Sequence, residues 1–126
     1  MNDKRYLQLN DIDAYRVAFH LSNLIWEEVV RWDHFARHTV GKQFVRAIDS
    51  VSANIAEGFG RYGKKDKIKF YRYANGSLKE RLDWNEKARV RKLISQNTYE
   101  NIFTELQQLP LLINQLIKYT NLTLKI

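Results

Sequence analysis

The chain has no cysteine among its 126 residues. Disulfides, thiolate metal sites and cysteine nucleophiles are therefore excluded together, and a reducing cytoplasmic setting fits. No basic start is followed by an apolar stretch of signal-peptide length. No run approaches the roughly 20 apolar residues that a membrane span requires, so neither export by that route nor membrane insertion is expected. Without export, the sequons Asn75-Gly76-Ser77 and Asn121-Leu122-Thr123 are chance matches. Repeats and low-complexity tracts are missing, and no segment alternates with period two for long enough to predict a strand. Proline occurs once, at Pro110.

What remains is a chain that is 44% apolar, enough for one continuous core, so residues 1–126 are expected to form one domain. Apolar periodicity predicts four helices and an all-α, antiparallel up-down-up-down four-helix bundle. The first is expected over about 11–32, with Ile12, Tyr15, Phe19, Ser22, Trp26 and Val29 on its inner stripe. A polar link from Asp33 to Val40 leads to the second, about 41–56, whose inner face is Phe44, Ile48, Val51 and Ile55. Glycines 58, 60 and 63 end it. The third is expected over about 64–92, with Asp66 in its first turn and Gly76 in its interior. A glycine there costs about 1 kcal/mol relative to alanine. Close contact with a neighbouring helix at Ala74, Gly76 and Ser77 is the expected compensation. The fourth, about 95–120, starts at the cap Ser95 and carries the seam Tyr99, Ile102, Leu106, Leu109, Ile113 and Leu116, with a kink expected at Pro110. A second apolar set on it, Phe103, Leu112, Ile117 and Tyr119, is covered either by another subunit or by a broad core face.

Catalytic or metal chemistry finds little support in these residues. Gly58-Phe59-Gly60-Arg61-Tyr62-Gly63 has the spacing GxGxxG, but the dinucleotide mechanism needs a preceding strand, and a helix is expected there. The same loop opens onto the third helix, where free amides with Arg61, Lys64 and Lys65 offer a phosphate site. His34 and His38 have no anchoring acid at helical spacing, and no serine is singled out as a nucleophile. Neither enzyme activity nor any metal or cofactor is therefore expected. The polar residues Asn54, Glu57, Ser77 and Glu80 lie on or beside apolar faces, and their expected role is hydrogen bonding across the bundle.

Net charge is +7, and it is local. Between Arg61 and Lys92 there are twelve basic residues against four acidic ones, while the rest of the chain carries nine against ten. Tyr62, Tyr71, Tyr73 and Trp84 interleave with these cations and would stack on bases if exposed, although several are core candidates. The candidate nucleic-acid contacts are Arg61, Lys64, Lys65, Lys67, Lys69 and Arg72, with Lys87, Arg89, Arg91 and Lys92 at the far end of the segment. A protein-interaction adaptor, docking a partner on the apolar surface of the first and fourth helices, is the alternative.

The run Asn54-Ile55-Ala56-Glu57-Gly58-Phe59-Gly60-Arg61, followed by Ala74-Asn75-Gly76-Ser77-Leu78-Lys79-Glu80, resembles the signature of the bacterial four helix bundle family. These are the intervening-sequence proteins of large-subunit ribosomal RNA genes. The resemblance spans about residues 10–120, and Asn54, Glu57, Gly58, Gly60, Gly76, Ser77 and Glu80 are the positions that carry it. Arg46, Ser52 and Phe70 also fit the family pattern. The resemblance implies an up-down bundle that assembles as a homopentamer with a basic, nucleic-acid-binding surface, RNA being the favoured ligand. It is similar in fold to the accessory variability protein of diversity-generating retroelements, which implies a reverse transcriptase as a further partner. Two departures, Arg81-Leu82-Asp83-Trp84 and Gly63 in place of a serine or threonine cap, affect the local surface.

Overall fold

The computed structural model describes residues 8–126, and residues 1–7 lie outside the described part of the predicted single domain. Among the described residues there are helices and no strands. Helix α1 spans Asp13–Val29, α2 Lys42–Phe59, α3 Lys64–Asn75, α4 Leu78–Val90 and α5 Gln96–Thr123. α3 and α4 together form the third rod, so the architecture is a four-helix bundle: α1 packs on α2, α2 on α3 and α4, both of these on α5, and α5 on α1. No helix among the described residues is long and apolar enough to cross a membrane.

Phe44, Ile48, Val51 and Ile55 of α2 and Ile102, Leu106, Leu109, Ile113 and Leu116 of α5 are buried as their spacing predicts, while Tyr99 is half-buried. In α1 the stripe is rotated from expectation. Ala14, Ala18, Leu21, Ile25 and Val29 face the core, with Ser22 beside them, whereas Phe19 and Trp26 are 51% and 56% exposed. Two apolar stripes overlap in α1. The one containing two alanines is selected, because small side chains let the neighbouring helices approach. Ile117 of the second apolar set on α5 is part of a broad core face.

The polar link is shorter than predicted. Asp33 caps a helical turn at His34–Ala36 by accepting from the Ala36 amide at 3.0 Å. The turn passes through a π segment, Arg37–Gly41, directly into α2. His34 and His38 consequently share a face, their rings stacked at 4.1 Å. Ser95 caps α5 as expected, accepting from the Thr98 amide at 3.0 Å, and α5 continues through Pro110 to Thr123.

The third rod is broken where one helix is expected. Gly76 is extended (φ −72°, ψ 161°) and Ser77 is left-handed (φ 64°, ψ 28°). Three weak helix formers in succession, Asn75-Gly76-Ser77, make the interruption cheap. A Cβ on Gly76 would meet only carbonyl oxygens of its own last turn, at 3.5 Å or more, so the expected helix contact is not there. It is at Gly58 instead, inside the last turn of α2. A Cβ on Gly58 would lie 2.7 Å from the Tyr71 ring and 2.9 Å from the Lys67 carbonyl. Gly58 therefore sets the crossing of α2 and α3 and does not terminate the helix. Gly60 is the C-cap.

Candidate nucleic-acid interface

The corner where α2 ends and α3 begins gathers six of the ten predicted contact residues, Arg61, Lys64, Lys65, Lys67, Lys69 and Arg72. Buried Ile68, Tyr71 and Ala74 fix the inner face of α3, and the 100° helical step then turns Lys65, Lys69, Arg72 and Tyr73 outward, all four of them exposed. Lys64, Lys65, Lys69 and Arg72 line a shallow groove with Asp66, Ile68 and, from the end of α5, Asn121. Among the described residues none of these four cations lies within ion-pair distance of a carboxylate.

At this corner two members of the predicted set, Lys67 and Arg61, are engaged in the fold. Lys67 is half-buried, and its Nζ donates to the carbonyl of Phe59 at 2.7 Å, capping the C-terminal end of α2. Burial pushes its pKa down. A lysine at a helix C-terminus satisfies orphan carbonyls and the negative end of the dipole, so Lys67 is a structural residue here. Arg61 pairs with Glu57 at 2.8 Å and places its guanidinium 4.5 Å above the Phe70 ring. The amide of Lys64, expected to be free for phosphate, donates to the main-chain oxygen of Ile126 at 2.8 Å, while the Lys65 side chain stays exposed.

The second predicted cluster lies at the other end of the bundle. Arg89 sits over the Tyr99 ring at 5.1 Å near the start of α5, whereas Asn121 belongs to the last turn. At 1.5 Å per residue the two places are about 33 Å apart along α5. Lys87 is paired with Asp83 and Arg89 with Glu86, while Arg91 and Lys92 are exposed. Hydrogen bonds from Arg89 and then from Tyr99 hold the Glu86 carboxyl below its ordinary range, and the same contact with Glu86 raises the Tyr99 hydroxyl. α4 closes with a Schellman motif: the amide of Leu93 reaches the Ala88 carbonyl at 2.8 Å and that of Lys92 the Arg89 carbonyl at 3.0 Å. Lys92 is left-handed at φ 61°. The ten residues read as one surface thus form two, and the α3 corner holds more unpaired charge.

The signature polar residues do not bond across the bundle. Asn54 donates to Ser50 within α2 at 2.9 Å, Glu57 holds Arg61, and Ser77 and Glu80 are exposed. Arg81 and Asn85 of α4 take that role. Arg81 is 3% exposed, its pKa is lowered by burial against the opposing influence of Glu80, and its Nε donates to the Ala47 carbonyl at 3.3 Å. Asn85 donates to the Tyr99 carbonyl at 3.2 Å. Their charge and polarity hid them from a reading based on apolar spacing.

Of the interleaved aromatics, Tyr71 is buried and Trp84 half-buried, while Tyr62 and Tyr73 are 90% and 55% exposed. A second groove, between α1 and α2, is lined by Trp26, Val29, Val30 and Val45 together with Arg37, Lys42 and Arg46. Apolar spacing places Trp26 in the core and so conceals this groove.

No curated protein matches the chain. Among solved structures it is similar to a protein of unknown function from the S23 ribosomal protein family of Bacteroides thetaiotaomicron. The TM-score is 0.68 at 23% identity, over 88% of this chain and 99% of that one, a likeness of fold. The profile of the 23S rRNA-intervening sequence proteins matches residues 10–115, nearly the whole helical bundle, and the chain belongs to that family.

Proposed function

We propose that the protein is a non-enzymatic, cytoplasmic homo-oligomer that binds nucleic acid, RNA foremost, through the outward face of α3. The observation that carries this reading is the set of Lys64, Lys65, Lys69 and Arg72 around one groove, none of them within ion-pair distance of a carboxylate among the described residues. Phosphates complete such a set by releasing counterions, and the binding this produces is strongly salt-dependent. The family likeness supports a pentamer, in which several copies of a weak site add avidity. Exposed Phe19 and Trp26 on α1 offer apolar area for self-contact. The resemblance to the accessory variability protein extends the proposal to an RNA complex containing a reverse transcriptase.

The experiment is a titration of purified protein into labelled RNA at two salt concentrations, with mass measured in the same buffers. Affinity is expected to fall steeply with salt and to be lost on Lys64→Glu, Lys65→Glu and Lys69→Glu together. Lys67 is left intact because it caps α2. An oligomer that ignores RNA at low salt overturns the reading. The groove at Trp26 and Val30 favours a second one, an adaptor that docks a protein partner on α1.

A further inference from the structure

We infer that the α3 face selects unpaired strands, with bases stacking on Tyr62 and Tyr73 while Lys65, Lys69 and Arg72 hold the phosphates. This rests on the nucleic-acid reading above and names its ligand class. Tyr73 follows Lys69 by four residues, so the two are neighbours on the outer face of α3. It is also held in place: its ring meets Phe70 edge to face at 5.5 Å, and Phe70 lies under the Arg61 guanidinium at 4.5 Å and near the Lys69 ammonium at 5.4 Å. Tyr62 extends from the turn beside Arg61 with 90% of its surface open.

Neither tyrosine contributes a core contact, in contrast to Tyr71 two residues before Tyr73, which is buried against Gly58. Flat, solvent-facing rings set among cations match the alternation of base and phosphate in a single strand, where every base offers a free face. A duplex offers only phosphates and base edges here, since a base reaches a protruding ring only after unstacking, which costs a few kcal/mol. The basic residues alone would bind both forms. The tyrosines discriminate between them.

The test compares one label on an unstructured RNA of about 12 nucleotides, within the usual site size, and on the matching duplex, at two salt concentrations. Wild-type protein is expected to bind the single strand at least about tenfold more tightly, the scale of one base–aromatic stack. Tyr62→Ala with Tyr73→Ala should abolish that margin and leave the salt dependence unchanged, whereas Tyr62→Phe with Tyr73→Phe should keep it. Equal affinity of the wild type for the two forms overturns the inference, as does undiminished single-strand binding by the alanine pair, while salt-sensitive binding leaves the broader reading standing. Wild-type protein that binds neither form at low salt overturns both.

Discussion

Gly58 is a residue whose replacement brings a side-chain atom against a backbone oxygen of the neighbouring helix. Its missing side chain is what allows the Tyr71 ring and the Lys67 carbonyl to lie against α2. A Cβ within 3 Å of a backbone oxygen cannot be relieved by a rotamer change, so Gly58→Ala is expected to cost about 2 kcal/mol through overpacking. Chemical denaturation would register this as a lower midpoint with little change in slope. The partner ring gives a second test. Burial raises the Tyr71 hydroxyl to about 12 from 10.0. The unfolded chain then loses that proton before the folded one does. The stability associated with the neutral hydroxyl is fully present below pH 10 and is lost as pH rises towards 12, an effect of about 3 kcal/mol at 1.36 kcal/mol per pH unit. Melting temperatures of wild type and Tyr71→Phe across that range should diverge, with the wild type falling faster.

Among the helices, the interrupted third rod is the least regular element. Ser77 occupies left-handed space that costs an L-residue roughly 1–2 kcal/mol, and Gly76, which precedes it, is extended at negative φ. The glycine is thus one position away from where its conformational freedom is needed. Ser77→Gly is expected to raise stability by about 1 kcal/mol, readable as an increase of several degrees in melting temperature. A decrease would mean that the serine side chain contributes more than its backbone strain costs. Beyond the break, α4 buries Arg81 and Asn85, and among the described residues Asn85 Oδ1 has no hydrogen-bond partner. The register of α4 is therefore held by polar bonds to α2 and α5 as well as by apolar packing.

For the whole molecule, the question is how a basic end and an apolar flank coexist. The groove cations Lys64, Lys65, Lys69 and Arg72 lie along α3, and the exposed aromatics Phe19 and Trp26 lie on α1, which packs on α2 and α5. Self-assembly through α1 would leave the α3 groove open to nucleic acid. Phe19→Glu with Trp26→Glu is expected to reduce the mass in solution while helical content is retained, since both residues are more than half exposed. Light scattering with circular dichroism reads both quantities. An unchanged mass with loss of a captured protein partner would transfer that surface to the adaptor reading.

Much of the bundle was legible in the sequence. The alternating three- and four-residue spacings in α2 and α5 mark the faces that the fold buries, with Ile117 of the second apolar set on α5 buried as well, and Ser95 announced the start of α5 by its chemistry. α1 was not decided that way, because Ala14 and Ala18 compete with Phe19 and Trp26. The choice depends on how closely its neighbours approach, which is a property of the packed bundle. The clustering of charge was also visible along the chain, but its division was not. A rod of helices spreads residues 61–92 over most of the length of the molecule, and only the fold shows that Lys67 caps α2 and that Arg61, Lys87 and Arg89 are held by acids, while Lys65, Lys69 and Arg72 remain open. Composition and spacing determined that this chain is a helical bundle with a basic segment. Tertiary structure decided which cations and rings face water, because exposure is set by the neighbouring helices and not by the chain that carries them.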